Sequence, residues 1–99
     1  MELAAPEKPL EPYTGKMPNL PRRGYYRVGD GYKVLTGTRP SIRAIQEFCN
    51  WYISGGLTVD GKYGPRTAAA VAKAQRHLGV TVDGLYGRDT LTAVANLVE

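Results

Sequence analysis

LTVDGKYGPRTAAAVAKAQ, residues 57–75, recurs 23 positions further on as VTVDGLYGRDTLTAVANLV, residues 80–98. Ten of the nineteen aligned positions are identical, among them Asp60/Asp83, Gly61/Gly84, Tyr63/Tyr86, Gly64/Gly87, Thr67/Thr90 and Val71/Val94. A repeat at fixed spacing decides how a fold is read before any single element is considered. Each copy has the same layout: a short extended piece, a turn, then a helix. Asp-Gly makes the turn, because Asp bonds its own backbone and Gly accepts positive φ. Pro65 suits the first helical position, where a missing N–H costs nothing. Thr67 and Thr90 fall in the first helical turn, within reach of a free backbone donor.

The helices follow from spacing. Val71, Ala74 and Leu78 recur at i, i+3, i+7, and Leu91, Val94, Leu97 and Val98 at i, i+3, i+6, i+7. Both are helical stripes. Gly79 suits the residue just past the end of the first of them. Upstream, residues 40–53, PSIRAIQEFCNWYI, read as a further helix with Pro40 and Ser41 at its start. Its apolar face is Ile42, Ile45, Phe48, Cys49 and Tyr52. Trp51 lies off that stripe, at the edge of the core or on a binding face. Gly55-Gly56 closes the helix. The segments Leu57–Val59 and Val80–Val82 are expected to run side by side as a minimal strand pair.

Residues 24–37, GYYRVGDGYKVLTG, alternate around Gly29-Asp30-Gly31 and suit a short hairpin or extended flap before the first helix, with Tyr25, Tyr26 and Tyr32 either part of a ligand-stacking surface or packed over the core. Residues 1–21 hold five of the seven prolines and few apolar residues, so 1–23 reads as a semi-rigid linker or tail. The expected fold is all-α: a small three-helix domain over residues 24–99, with its core in 40–99 and two VDGxYG turns.

Composition bounds the function. Ninety-nine residues make one domain. The net charge is +4, but residues 1–21 carry −1 and the remainder +5, which favours an anionic partner without choosing one. One cysteine, Cys49, permits no intramolecular disulfide and no zinc site of cysteines; on the apolar face it reads as a small buried hydrophobe. No apolar run approaches a membrane span, and the N-terminus has no apolar h-region of a signal peptide.

No catalytic group emerges. His77 is the sole histidine, near a helix C-terminus, where the dipole favours it. Asp60 and Asp83 sit in matching turns, whereas a carboxylate pair doing acid–base work needs unlike environments. The turns lack the oxygen ligands of a calcium loop. No nucleophile elbow, P-loop or dinucleotide fingerprint is present. No cofactor or metal is expected.

Ile45-Gln46, then Val59-Asp60-Gly61, Tyr63-Gly64-Pro65, Thr67, Ala70-Val71 and Gln75, then Val82-Asp83-Gly84, Tyr86-Gly87 and Thr90 resemble the signature of peptidoglycan-binding domains of the PG_binding_1 family. The resemblance covers about residues 40–99. It departs where Lys73-Ala74 precede Gln75 in place of the family's aromatic residue, and in the longer, tyrosine-rich lead-in. It implies a three-helix, non-catalytic module that holds a hydrolase on bacterial cell wall, as in phage endolysins and bacterial autolysins. The partner would be peptidoglycan, with a hydrolase domain linked or associated through the Pro-rich tail. For such a ligand the candidate contacts are Tyr63, Tyr86 and Trp51 over sugar faces, Arg66 for a carboxylate, and Asp60 and Gln75 as polar partners. Each tyrosine also reads as cover for a helix–turn junction, and each aspartate as a turn former. Two other classes stay open. A basic three-helix unit suits a helix-turn-helix DNA binder, although its third helix offers only Arg88, Asp89 and Asn96. A protein–protein adaptor using the tyrosine-rich flap, with self-association, is the other.

Overall fold

A computed structural model describes residues 11–33 and 38–98. Three helices carry the fold: α1, Thr38–Ile53; α2, Pro65–Leu78; and α3, Arg88–Val98. Two short strands, β1 at Tyr25–Tyr26 and β2 at Tyr86–Gly87, pair antiparallel with Tyr25 opposite Gly87 and Tyr26 opposite Tyr86. The middle helix packs against both of its neighbours.

The first helix begins two residues before the expected start, at Thr38. Pro40 is tolerated there because the first four N–H groups of a helix have no partner inside it. Ser41 is therefore no cap. It is buried, and its Oγ accepts the Asn19 backbone N–H at 3.0 Å. The predicted face of α1 is the floor of the core: Ile42, Ile45, Phe48, Cys49 and Tyr52 are all buried. Burial pushes the Cys49 thiol up to about 12. Val71 and Ala74 of α2 and Val94 of α3 meet this face; Leu78, Leu91, Leu97 and Val98 are only partly covered. The α2 stop falls at Gly79, whose N–H donates to the Gln75 carbonyl at 3.0 Å.

The strand pairing differs in its partners from the sequence expectation. Leu57–Val59 and Val80–Val82 form no strand; Val59 and Val82 are 39% and 45% exposed. They need no pairing because each following turn is held by a helix, as described below. The extended piece before α1 is present as β1, and it pairs with the second-repeat turn. A few residues on, the Gly29 N–H donates to the Tyr63 carbonyl at 2.9 Å and the Tyr63 N–H to the Asp30 carbonyl at 2.8 Å. The segment from Tyr25 to Asp30 thus crosses both turns and bonds each at its tyrosine. Arg39 Nε fastens the end of this segment to α1 by donating to the Gly31 carbonyl at 2.7 Å. The far arm of the expected flap, residues 34–37, lies outside the described residues.

Of the stretch read as linker or tail, residues 11–20 lie along α1. Tyr13, Met17 and Leu20 pack on the core. The Tyr26 hydroxyl donates to the Asn19 carbonyl, and the Trp51 indole N–H to the Glu11 carbonyl at 2.7 Å. Residues 1–10 lie outside the described set.

Candidate functional site

The two turns are built by the same bonds. In the first, the Gln46 side chain reaches out of α1, and its Oε1 accepts the N–H groups of Asp60 and Gly61 at 3.0 and 2.9 Å. Its Nε2 faces Asp60 Oδ1, the Lys62 carbonyl and Thr67 Oγ1 at 3.1, 3.0 and 3.1 Å. In the second, Gln75 reaches out of α2 and accepts from Asp83 and Gly84 at 3.0 and 2.9 Å. Its Nε2 faces Asp83 Oδ1, the Leu85 carbonyl and Thr90 Oγ1 at 3.1, 2.8 and 2.9 Å. Both glutamines are 1% exposed. A primary amide suits this place because it carries two donors and one acceptor oxygen on a single planar group. Each aspartate closes its own turn, accepting the N–H two residues on at 2.9 Å. Gly61, at φ +77°, has no room for a side chain: a Cβ there would stand 2.7 Å from the Cβ of Arg39. The repeat ends with this device, because Val98 occupies the position that Gln75 holds in the first copy.

This geometry places the six sequence candidates in two groups. Tyr63, Tyr86 and Gln75 are sealed in the protein at 0%, 1% and 1% exposure, so none offers a face to a ligand. The Tyr63 ring passes under the turn, and its hydroxyl donates to the Gly84 carbonyl of the other turn at 2.6 Å. Burial holds the phenols of Tyr63 and Tyr86 well above their ordinary range. The Tyr86 hydroxyl is buried with no partner among the described residues. Asp60, Arg66 and Trp51 remain at the surface, Arg66 exposed and the others partly so. The Lys62 N–H, and after it the Gln46 amide, hold the Asp60 carboxyl below the usual carboxylate value.

Each turn borders a shallow groove. The first, about 220 Å³, is lined by Thr58, Asp60, Lys62, Arg66 and Thr67, with Tyr32 over it. The second, about 270 Å³, is lined by Thr81, Asp83, Leu85, Arg88, Asp89 and Thr90, with Tyr25 beside it. Their chemistry differs at three matching positions: Leu85 replaces Lys62, Arg88 replaces Pro65, and Asp89 replaces Arg66. The first groove therefore sets two cations beside one carboxylate, and the second sets one cation, Arg88, beside two, so the first is the better suited to a carboxylate beside peptide amides. Trp51 is not part of either. It stands in an aromatic row with Phe48 and Tyr52 of α1 and Tyr13 of the 11–15 strap, and faces a third cleft between that strap and the helix. Asp60 and Arg66 are thus brought together, and Trp51 apart from them.

Sequence reasoning missed Lys62 as a groove residue and Gln46 as the clasp of the first turn. The signal for Lys62 lay in the repeat itself, as one of the few positions in the turn where the two copies differ. Tyr32, read from sequence with Tyr25 and Tyr26 as a stacking residue or a cover for the core, is exposed and lines this groove with residues 14 or more positions away. Among the described residues no three of His, Cys, Asp and Glu are grouped to hold a metal ion, and no helix is long and apolar enough to cross a membrane.

Residues 38–94 match the family model described as "Putative peptidoglycan binding domain". The match spans α1, both clasped turns, α2 and the first half of α3. No curated protein and no solved structure matches the chain.

Proposed function

The chain belongs to the peptidoglycan-binding domain family, and on that premise we propose that it is a non-catalytic module that holds a cell-wall hydrolase, such as an endolysin or autolysin, against its substrate. The hydrolase is linked covalently or associates with the module. Holding an enzyme at the polymer surface raises the substrate concentration it meets without adding contacts at its own active site. The observation that carries this reading is the family match over both turns; the groove at the first turn supplies the contact surface. There the exposed Lys62 and Arg66 attract the carboxylates of stem peptides, and Thr58 and the Tyr32 tip supply hydrogen bonds. The proposed place of action is the bacterial cell wall.

Co-sedimentation with purified sacculi tests it. The protein is expected in the pellet, less so at high salt because the cations are exposed. The pair Lys62→Glu and Arg66→Glu is expected to weaken pelleting by about tenfold, the scale of two exposed ion pairs lost and two repulsions gained. Wall turbidity is expected to stay constant. Protein that remains in the supernatant, or walls that clear when it is added alone, would overturn the reading.

A further inference from the structure

One cleft is built largely by residues outside the 38–94 match. The 11–15 strap runs beside α1, and between them opens a cleft of about 600 Å³, larger than either turn groove. Trp51 and Tyr13 line it, their rings 5.4 Å apart and inclined by 54°. Both rings are held in place. The Trp51 N–H is bonded to the Glu11 carbonyl, and the Tyr13 hydroxyl donates to the carbonyls of Lys16 and Ala44 at 2.9 and 3.2 Å. The polar rim is acidic: Glu11 and Glu47 are exposed, and neither has an ion-pair partner among the described residues. Burial, and next the Glu47 charge, push the Tyr13 phenol up to about 12.

Rings beside free carboxylates form a surface for a neutral, hydroxyl-rich ligand. Pyranose C–H faces pack on the rings, and sugar hydroxyls and amides donate to the carboxylates. An acidic peptide is repelled there. The first-turn groove has the opposite bias, with Lys62 and Arg66. The two clefts adjoin. Asn50 lines the strap cleft, and its side chain accepts from the Leu57 N–H at 2.8 Å and donates to the Leu57 carbonyl at 2.9 Å; Leu57 lines the groove. Cell-wall polymer has the same two parts side by side: a glycan that is neutral where its lactyl carboxyls are amide-linked, and acidic stem peptides.

We propose that the strap cleft is a glycan subsite, taking β-linked N-acetylhexosamine units on Trp51 and Tyr13 with Glu11 and Glu47 as hydroxyl acceptors, while the stem peptide turns into the first groove. This rests on the peptidoglycan reading above and names which part of the polymer each cleft takes.

Trp51 is the sole tryptophan, so its emission reports on the cleft directly. The full chain is titrated with N-acetylglucosamine tetramer, following emission and binding heat. A saturable change is expected. Glu47→Lys, at an exposed position, should weaken it about fivefold or more, the scale of one lost charge-assisted hydrogen bond. The Lys62→Glu, Arg66→Glu pair should leave it unchanged, and a free acidic stem tripeptide should not alter Trp51 emission. No saturable change at millimolar tetramer, or equal binding by Glu47→Lys with unchanged circular dichroism, overturns the subsite. Sacculi pelleting on the same samples separates the two claims. Pelleting without tetramer binding removes only the subsite; tetramer binding without pelleting removes only the wall-anchor reading.

Discussion

Replacing Gln46 by Leu removes a single side chain of nearly the same size, yet it should cost much of the domain's stability. The lost amide leaves the N–H groups of Asp60 and Gly61 without their acceptor, and the Lys62 carbonyl and Thr67 hydroxyl without their donor. Gly61 and Thr67 are buried, so water cannot fully replace the bonds there; Asp60 is partly exposed, so there it can. Two poorly replaced groups at about 1–3 kcal/mol each give about 2–6 kcal/mol in all. Leucine buried in place of the amide recovers little, because the site is polar on every side but α1. Stabilities of single domains are about 5–15 kcal/mol, so against a value of about 10 kcal/mol the variant loses about a fifth to three fifths. The midpoint of thermal unfolding should fall by about 8–48 °C, at about 4–8 °C per kcal/mol for a chain of this size. Urea unfolding followed by far-ultraviolet circular dichroism and by Trp51 emission measures it, with coincident transitions required. Gln75→Leu should cost nearly the same, since the second clasp repeats the first bond for bond. A loss below about 0.5 kcal/mol, the low end for one ordinary hydrogen bond, would refute the clasp as a source of stability.

Three further outcomes are expected. Tyr63→Phe should destabilise by about 1–2 kcal/mol, because the Gly84 carbonyl is left bare in the core, whereas Tyr86→Phe should be neutral or stabilising, because it removes a buried hydroxyl that has no partner; chemical denaturation of the pair checks this. Asp60 has a lowered folded-state pKa, so its contribution is present above the unfolded carboxyl value and is lost as pH falls through the folded one. Asp60→Asn should therefore be less stable than the parent at neutral pH and lose less stability on acidification, read from melting temperatures across the acid limb. Gly61→Val should fail to fold, through both its positive φ and the contact with Arg39, as shown by loss of helical circular dichroism.

The helical skeleton was legible because amphipathic spacing and the doubled turn are local signals. Ile42 to Tyr52 repeat at helical intervals, and Gly79 stops α2 where the sequence places a stop. The tyrosines show where local reading ends. Tyr63 and Tyr86 sit in turns, which have no period, so nothing in sequence says whether the ring faces inward or outward. They face inward, and Tyr63→Ala becomes a test of folding rather than of binding. Gln75 was visible as part of the family signature; its job was not, because its partners lie 8 to 15 residues away across a turn. The segment before α1 was the least legible. It is joined to both turns largely by backbone bonds, which any side chain permits. Trp51, read as edge of core or binding face, lies at the core edge and on a cleft, because the strap that forms the other wall is held by a backbone carbonyl of Glu11.

The most direct test of the whole account is an amide chemical-shift titration of the labelled protein with a soluble muropeptide carrying both sugar and stem. The account predicts shifts grouped at Thr58, Lys62 and Arg66 and continuing through Asn50 to Glu47 and Trp51, with the second groove at Thr81 and Asp89 quiet. Shifts confined to α3 or the second groove, or none at saturating ligand, would contradict it.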